Sequence, residues 1–152
     1  MAPPLRPRRA DGTCPAALRA LAVALGLFLI FNGLDKLAWF ADSTILAARL
    51  QAWTANATAP TRWYIETVAV PGIPLFARVV PIAELSTGVA LILGFRVRVA
   101  ALIALVMVSN FHVARGLFFS REFLTDGVGL PVMGALVALI IAGARLPWSV
   151  TK

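Results

Sequence analysis

Five side chains of this sequence could do chemistry from within apolar stretches: Asn32, Lys36, Glu84, Ser109 and His112. Polar and ionisable groups in hydrocarbon are costly, so each needs a reason to be there. Glu84 is the strongest case. It lies near the middle of a long apolar run, one turn after Pro81. That proline removes a backbone donor and leaves the carbonyl of Ala77 without its usual partner, so the helix is expected to bend just above Glu84. Thr87 and Gly88 share the face of Glu84, three and four residues on. Asn32 and Lys36 share a face of an earlier run, and Ser109 and His112 share a face of a later one. Asn110, two residues from His112, points elsewhere. A rise of about 1.5 Å per residue places Asn32, Glu84, Ser109 and His112 roughly 5 to 15 Å below one membrane surface. Three helices can therefore contribute one buried polar layer.

Two readings of that layer stand side by side. A carboxyl group and an imidazole in a dry layer can exchange the protons that accompany quinone reduction. The same residues can instead form a Glu84–Lys36 ion pair with hydrogen-bonded neighbours that fixes helix register. Lys36 alone is expected to snorkel outward, and His112 can simply sit at the interface. No nucleophile, base and orienting group fall together, and Gly127-Val128-Gly129 is too short for a phosphate loop. The chain has 1 cysteine, Cys14, and 1 histidine. An intrachain disulfide, a Cys/His zinc site and haem ligation by a histidine pair are therefore excluded. No metal and no intrinsic cofactor is expected. A quinone or a bound lipid is what such a layer could hold.

The elements that must position these residues follow from composition. Of 152 residues, 60% are hydrophobic and 14% charged, and the mean hydropathy is +0.86. A soluble domain is about half apolar and about a quarter charged. A domain this small cannot bury the excess, so a lipid-facing surface is expected. The spacing predicts an all-α membrane four-helix bundle with spans at about 16–40, 75–95, 99–116 and 127–144. These make one transmembrane domain over 16–146, after a disordered basic tail at 1–15 and before a short tail at 147–152. The first span is too long for a signal sequence and has no A-x-A cleavage site after it. Pro71, Gly72 and Pro74 mark the start of the second span, and Thr125 or Asp126 can cap the fourth.

The net charge of +7 lies beside apolar spans and is not interleaved with exposed aromatics, which argues against nucleic acid. With the N-terminus inside, the inner side holds Arg6, Arg8, Arg9, Arg19, Arg96, Arg98, Arg145 and Lys152 against Asp11 alone. Six acids offset the six basic residues of the other side. The positive-inside rule then places both termini in the cytoplasm and the chain in the cytoplasmic (inner) membrane.

The outer loop, 41–73, is too long for a turn. Ser43 can cap a helix through Ala55, on which Leu46, Leu50 and Trp53 form one apolar stripe. Trp63 and Tyr64 add interfacial aromatics. The loop is expected to form short interfacial helices, either as plain anchors or as a lid. In the fourth span Gly134, Ala138 and Ala142 recur every four residues, a small-residue face where a helix can approach closely.

Three stretches together resemble the DoxX/DoxD family of small membrane proteins. They are Gly26 to Phe40 with Asn32-Gly33-Leu34-Asp35-Lys36-Leu37, then Glu84 to Phe95, then Arg96-Val97-Arg98 leading into an Ala-rich helix. The resemblance covers roughly 18–144. It implies a four-helix membrane bundle, and some members of the family associate with redox partners at the membrane while many have no assigned activity. One branch of the family is the membrane subunit of thiosulfate–quinone oxidoreductase, and no catalytic residues carry over. The long outer loop departs from the shortest members. The function expected is an accessory subunit that stabilises a larger membrane redox complex without activity of its own. The alternatives are a quinone-binding subunit of the thiosulfate–quinone type and, more weakly, a small transporter. The bilayer and other membrane or redox proteins are the expected partners.

Overall fold

The structure, a computed structural model, describes residues 13–118, 120–143 and 146–150. Most of the expected basic tail, Arg145 and Lys152 lie outside the described residues. Among the described residues the regular structure is entirely helical.

Helix α1 runs Thr13–Asp35, so it begins inside the stretch expected to be a tail. Pro15 is accommodated there because the first turn needs no backbone donor. The span expected to continue to Phe40 breaks at Lys36. The amides of Lys36 and Leu37 bond back three residues, to Gly33 and Leu34, and a short helix α2, Ala38–Ala41, follows. The loop then folds into α3, Thr44–Thr54, α4, Ala59–Tyr64, and a π-helical turn, Ile65–Ala69. Helix α5, Ile73–Leu93, takes Pro74 in its first turn and stays helical through Pro81. Gly94, at φ 71°, ends it in the left-handed conformation that glycine adopts without strain. Helix α6 is Val97–Ala114, α7 is Arg121–Thr125 and α8 is Leu130–Ala142.

Three of these segments, Cys14–Ala41, Ile73–Leu93 and Val97–Ala114, are long and apolar enough to cross a membrane. The expected fourth span is shorter than predicted. It starts at Leu130, with Gly129 rather than Thr125 or Asp126 at its N-cap. The Asp126 carboxylate instead accepts from the Val128 amide in a turn, which ends the run that began at α7. Helix α1 packs along α5, α6 packs on both α5 and α8, and α8 returns to touch α1. Large apolar side chains such as Phe31, Leu75, Val106 and Ile141 point outward, as a lipid-facing surface requires.

The closest approach is between α1 and α5. A Cβ on Gly26 would lie 2.7 Å from the Gly88 carbonyl oxygen, and one on Gly88 would lie 2.8 Å from that of Gly26. This reciprocal contact of small residues lets the two backbones touch. At the far end of α5, the buried Arg19 donates to the carbonyls of Leu91 and Ile92, which lie in the last turn of the helix, where carbonyls lack their usual intrahelical partners; that of Leu91 also accepts from the Gly94 amide.

The short helices of the loop pack on the bundle. Leu46 and Leu50 are buried with Trp39, Ile65, Ala69 and Ala77, and Trp53 and Tyr64 pack against that cluster. It forms a cap over one end of the bundle. Trp63 is 63% exposed and is left as the loop's outward aromatic. The start of α3 is held by Asp42, not Ser43: its carboxylate accepts from the Thr44 amide at 2.9 Å and hydroxyl at 2.5 Å. These bonds hold the Asp42 carboxyl below its ordinary value of 3.8.

Candidate functional site

The glycine contact sets the height at which α1 and α5 face each other, and that height fixes the polar layer. Two turns beyond Gly26, Gly33 sits against Leu85. The break in α1 then turns Lys36 inward rather than outward. Its ammonium donates to both carboxylate oxygens of Glu84, at 2.9 and 2.8 Å, and to the Asn32 carbonyl at 3.0 Å. An ammonium has three protons, so all of them are used. Both side chains are buried. The ammonium also lies 5.2 Å from the ring centre of Phe111 and 5.9 Å from that of Trp39, distances at which aromatic faces stabilise a cation. Thr87 bonds back to the carbonyls of Ala83 and Glu84.

His112 enters from α6. It is 1% exposed, and its Nδ1 lies 2.7 Å from the Val108 carbonyl oxygen. A carbonyl only accepts, so Nδ1 carries the proton, and Nε2 of the neutral ring is an acceptor. That Nε2 is buried with no hydrogen-bond partner. The rings of Phe118 and Phe123 stand against the imidazole at 5.9 and 5.7 Å.

These groups border one cavity of about 450 Å³, within the usual size range of small-molecule sites. Asn32, Lys36, Glu84 and His112 line it, with Phe28, Leu29, Val108 and Phe111 as apolar wall and Arg49, Trp53 and Arg115 from the cap and the end of α6. Ser109 is half-buried and is not in the lining. Asn32 faces the cavity, but its amide donates to Phe28 in its own helix, at 2.8 Å. Arg49 and Arg115 were not among the residues singled out from sequence. Arg49 stacks over Trp39 at 5.4 Å, and Arg115 pairs with Asp126 at 3.4 Å. Tyr64 fastens the cap to α6 by donating to Asn110. Burial raises the pKa of its phenol, which keeps the donor protonated. Among the described residues no three metal-ligating side chains come together.

Gly134 and Ala142 are exposed and Ala138 is half-buried, so the small-residue face of α8 points away from the bundle. Leu136 and Leu139 occupy the inward side.

The fold and this cavity describe a helical integral membrane protein with a polar pocket near one end of its bundle. The sequence model of the DoxX family matches residues 17–114, and the chain belongs to that family. The match takes in α1 to α6 and stops short of α7 and α8, whereas the resemblance read from sequence runs on to 144. No curated protein and no solved structure matches the chain.

Proposed function

We propose that this chain is the membrane-embedded accessory subunit of a larger redox assembly, and that its contribution is a pocket for a quinone ring. The assembly's other subunits supply the electrons. One observation carries the reading: His112, whose Nε2 is buried without a hydrogen-bond partner, is among the residues that line a cavity large enough for a ring. A buried acceptor left empty is costly. The quinol that forms as the ring takes two electrons from those subunits and two protons from water would satisfy it by donating a hydroxyl. Phe28, Leu29, Val108 and Phe111 would sandwich the ring. Glu84 and Lys36 are occupied with each other, which favours a positioning role for that pair.

The test is retention of quinone. Protein purified with its assembly in native-lipid discs is extracted, and quinone is quantified per chain. Near-stoichiometric quinone is expected, with loss in His112→Phe and retention in Ser109→Ala. Equal retention in His112→Phe would overturn the proposal.

A second reading has its own support. Lys36 has no proton to spare for a ligand, and the small-residue face of α8 is open to a neighbour. On that reading the chain only stabilises the assembly. Glu84→Gln would then cost stability but spare turnover by the assembled complex, so assembly and turnover must be measured on one preparation.

A further inference from the structure

Three cations line the cavity, Lys36, Arg49 and Arg115, and two of them are held by a carboxylate. Lys36 is matched by Glu84, and Arg115 engages Asp126. Those two ion pairs, the ones present among the described residues, leave Arg49 without a carboxylate. Arg49 is an exposed residue of the cap whose guanidinium rests over the ring of Trp39 at 5.4 Å, and Trp39 is 1% exposed. A buried indole is a fixed platform on which the guanidinium can rest at the cavity wall. Guanidinium groups present a planar fork of donors suited to an oxyanion, and low-dielectric walls strengthen the field of an unmatched charge.

We infer that the cavity selects an amphipathic anion, an apolar ring bearing one ionised oxygen, and that Arg49 is the residue that reads the charge. This rests on the reading of the cavity as a ring site and adds the ligand's charge to it. The ring lies between Phe28 and Phe111, and the ionised oxygen meets the guanidinium over Trp39. A neutral ring of the same shape fills the same wall but leaves the fork empty.

The experiment compares two probes of one shape: a hydroxynaphthoquinone whose ring hydroxyl is ionised at neutral pH, and its uncharged methyl ether. Binding to the full chain in discs of zwitterionic lipid is followed by quenching of tryptophan fluorescence. The anion is expected to bind about tenfold or more tightly than the ether, the scale of one charge-assisted hydrogen bond. That preference should shrink with salt, vanish in Arg49→Gln and survive in part in Arg49→Lys. Arg49 is exposed, so these variants should fold. Equal binding of the two probes would overturn the charge selection and leave the quinone pocket standing. Binding of neither would overturn both. Displacement of the anionic probe by phosphatidylglycerol in the disc would assign Arg49 to lipid phosphate and overturn the ring ligand.

Discussion

Removing one partner of the Lys36–Glu84 pair should cost far more than removing both. The two side chains are 8% and 6% exposed and touch at 2.8 Å; both line the cavity, so the costs that follow are those of a pair that water does not reach. In Glu84→Leu the ammonium keeps only the Asn32 carbonyl. In Lys36→Met the carboxylate keeps no donor among the described residues. An uncompensated buried charge costs about 3 to 5 kcal/mol, and an intramembrane one about 3 kcal/mol on insertion scales. Each single variant should therefore lose about 3 kcal/mol. The double variant Lys36→Met/Glu84→Leu replaces the pair with apolar groups of similar size and should fall within about 1 kcal/mol of the wild type. The coupling is then several kcal/mol, against the few tenths typical of polar contacts between membrane helices. Unfolding by rising SDS fraction in mixed micelles, followed by tryptophan fluorescence, measures all four proteins. Single variants that each lose under about 1 kcal/mol would show that water reaches the pair, and the argument for a dry layer would fail.

Gly88→Ala should force α1 and α5 apart, because its Cβ meets the Gly26 carbonyl oxygen at 2.8 Å. A loss of about 1 to 3 kcal/mol is expected, with Gly134→Ala, where the new Cβ meets nothing within 4 Å, as the neutral control. Asp42 gives a pH dependence: its carboxyl is held down by the Thr44 bonds, so its support of α3 is complete above the unfolded-state value and is lost as pH falls through the lower folded one. Hydrogen exchange at the Thr44 amide should therefore accelerate only below about pH 3.8, and an acceleration near neutral pH would contradict the assignment. Cys14 is exposed and should resist an impermeant thiol reagent in intact cells, while a cysteine placed at Gln51 should react. The opposite pattern would invert the proposed topology.

The helical class could be read from sequence because it follows from spacing along single helices, whereas the pairing of Glu84 with Lys36 joins two helices and stands in the sequence only as one of two readings of the polar layer. The pocket could not be read there, because it needs the cap. Nothing local in Asn32-Gly33-Leu34-Asp35-Lys36-Leu37 marks a break, and the turn there makes sense only once Glu84 draws Lys36 inward. Arg49 reaches the cavity on a loop helix whose docking depends on Trp39 and Ile65, contacts distant in sequence. Ser109 shows how coarse a shared face is. At about 100° per residue it lies about 60° from His112 on one side. Val108, Phe111 and Arg115, which line the cavity, lie about 40°, 100° and 60° away on the other.

Helix α8 has 13 residues where α1, α5 and α6 have 23, 21 and 18. At about 1.5 Å per residue it is about 20 Å long, and the hydrocarbon of a typical bilayer is about 30 Å thick. Three helices therefore match a bilayer in length, and α8 is about 10 Å shorter than its hydrocarbon. Lipids beside so short a helix would thin or tilt to follow it, and each ångström of mismatch carries a fraction of a kcal/mol. A neighbouring helix laid against Gly134 would take the place of those strained lipids. Under the proposed role in an assembly, bilayer thickness becomes a variable to test: a thicker bilayer would penalise the lone chain more and favour a partner on α8.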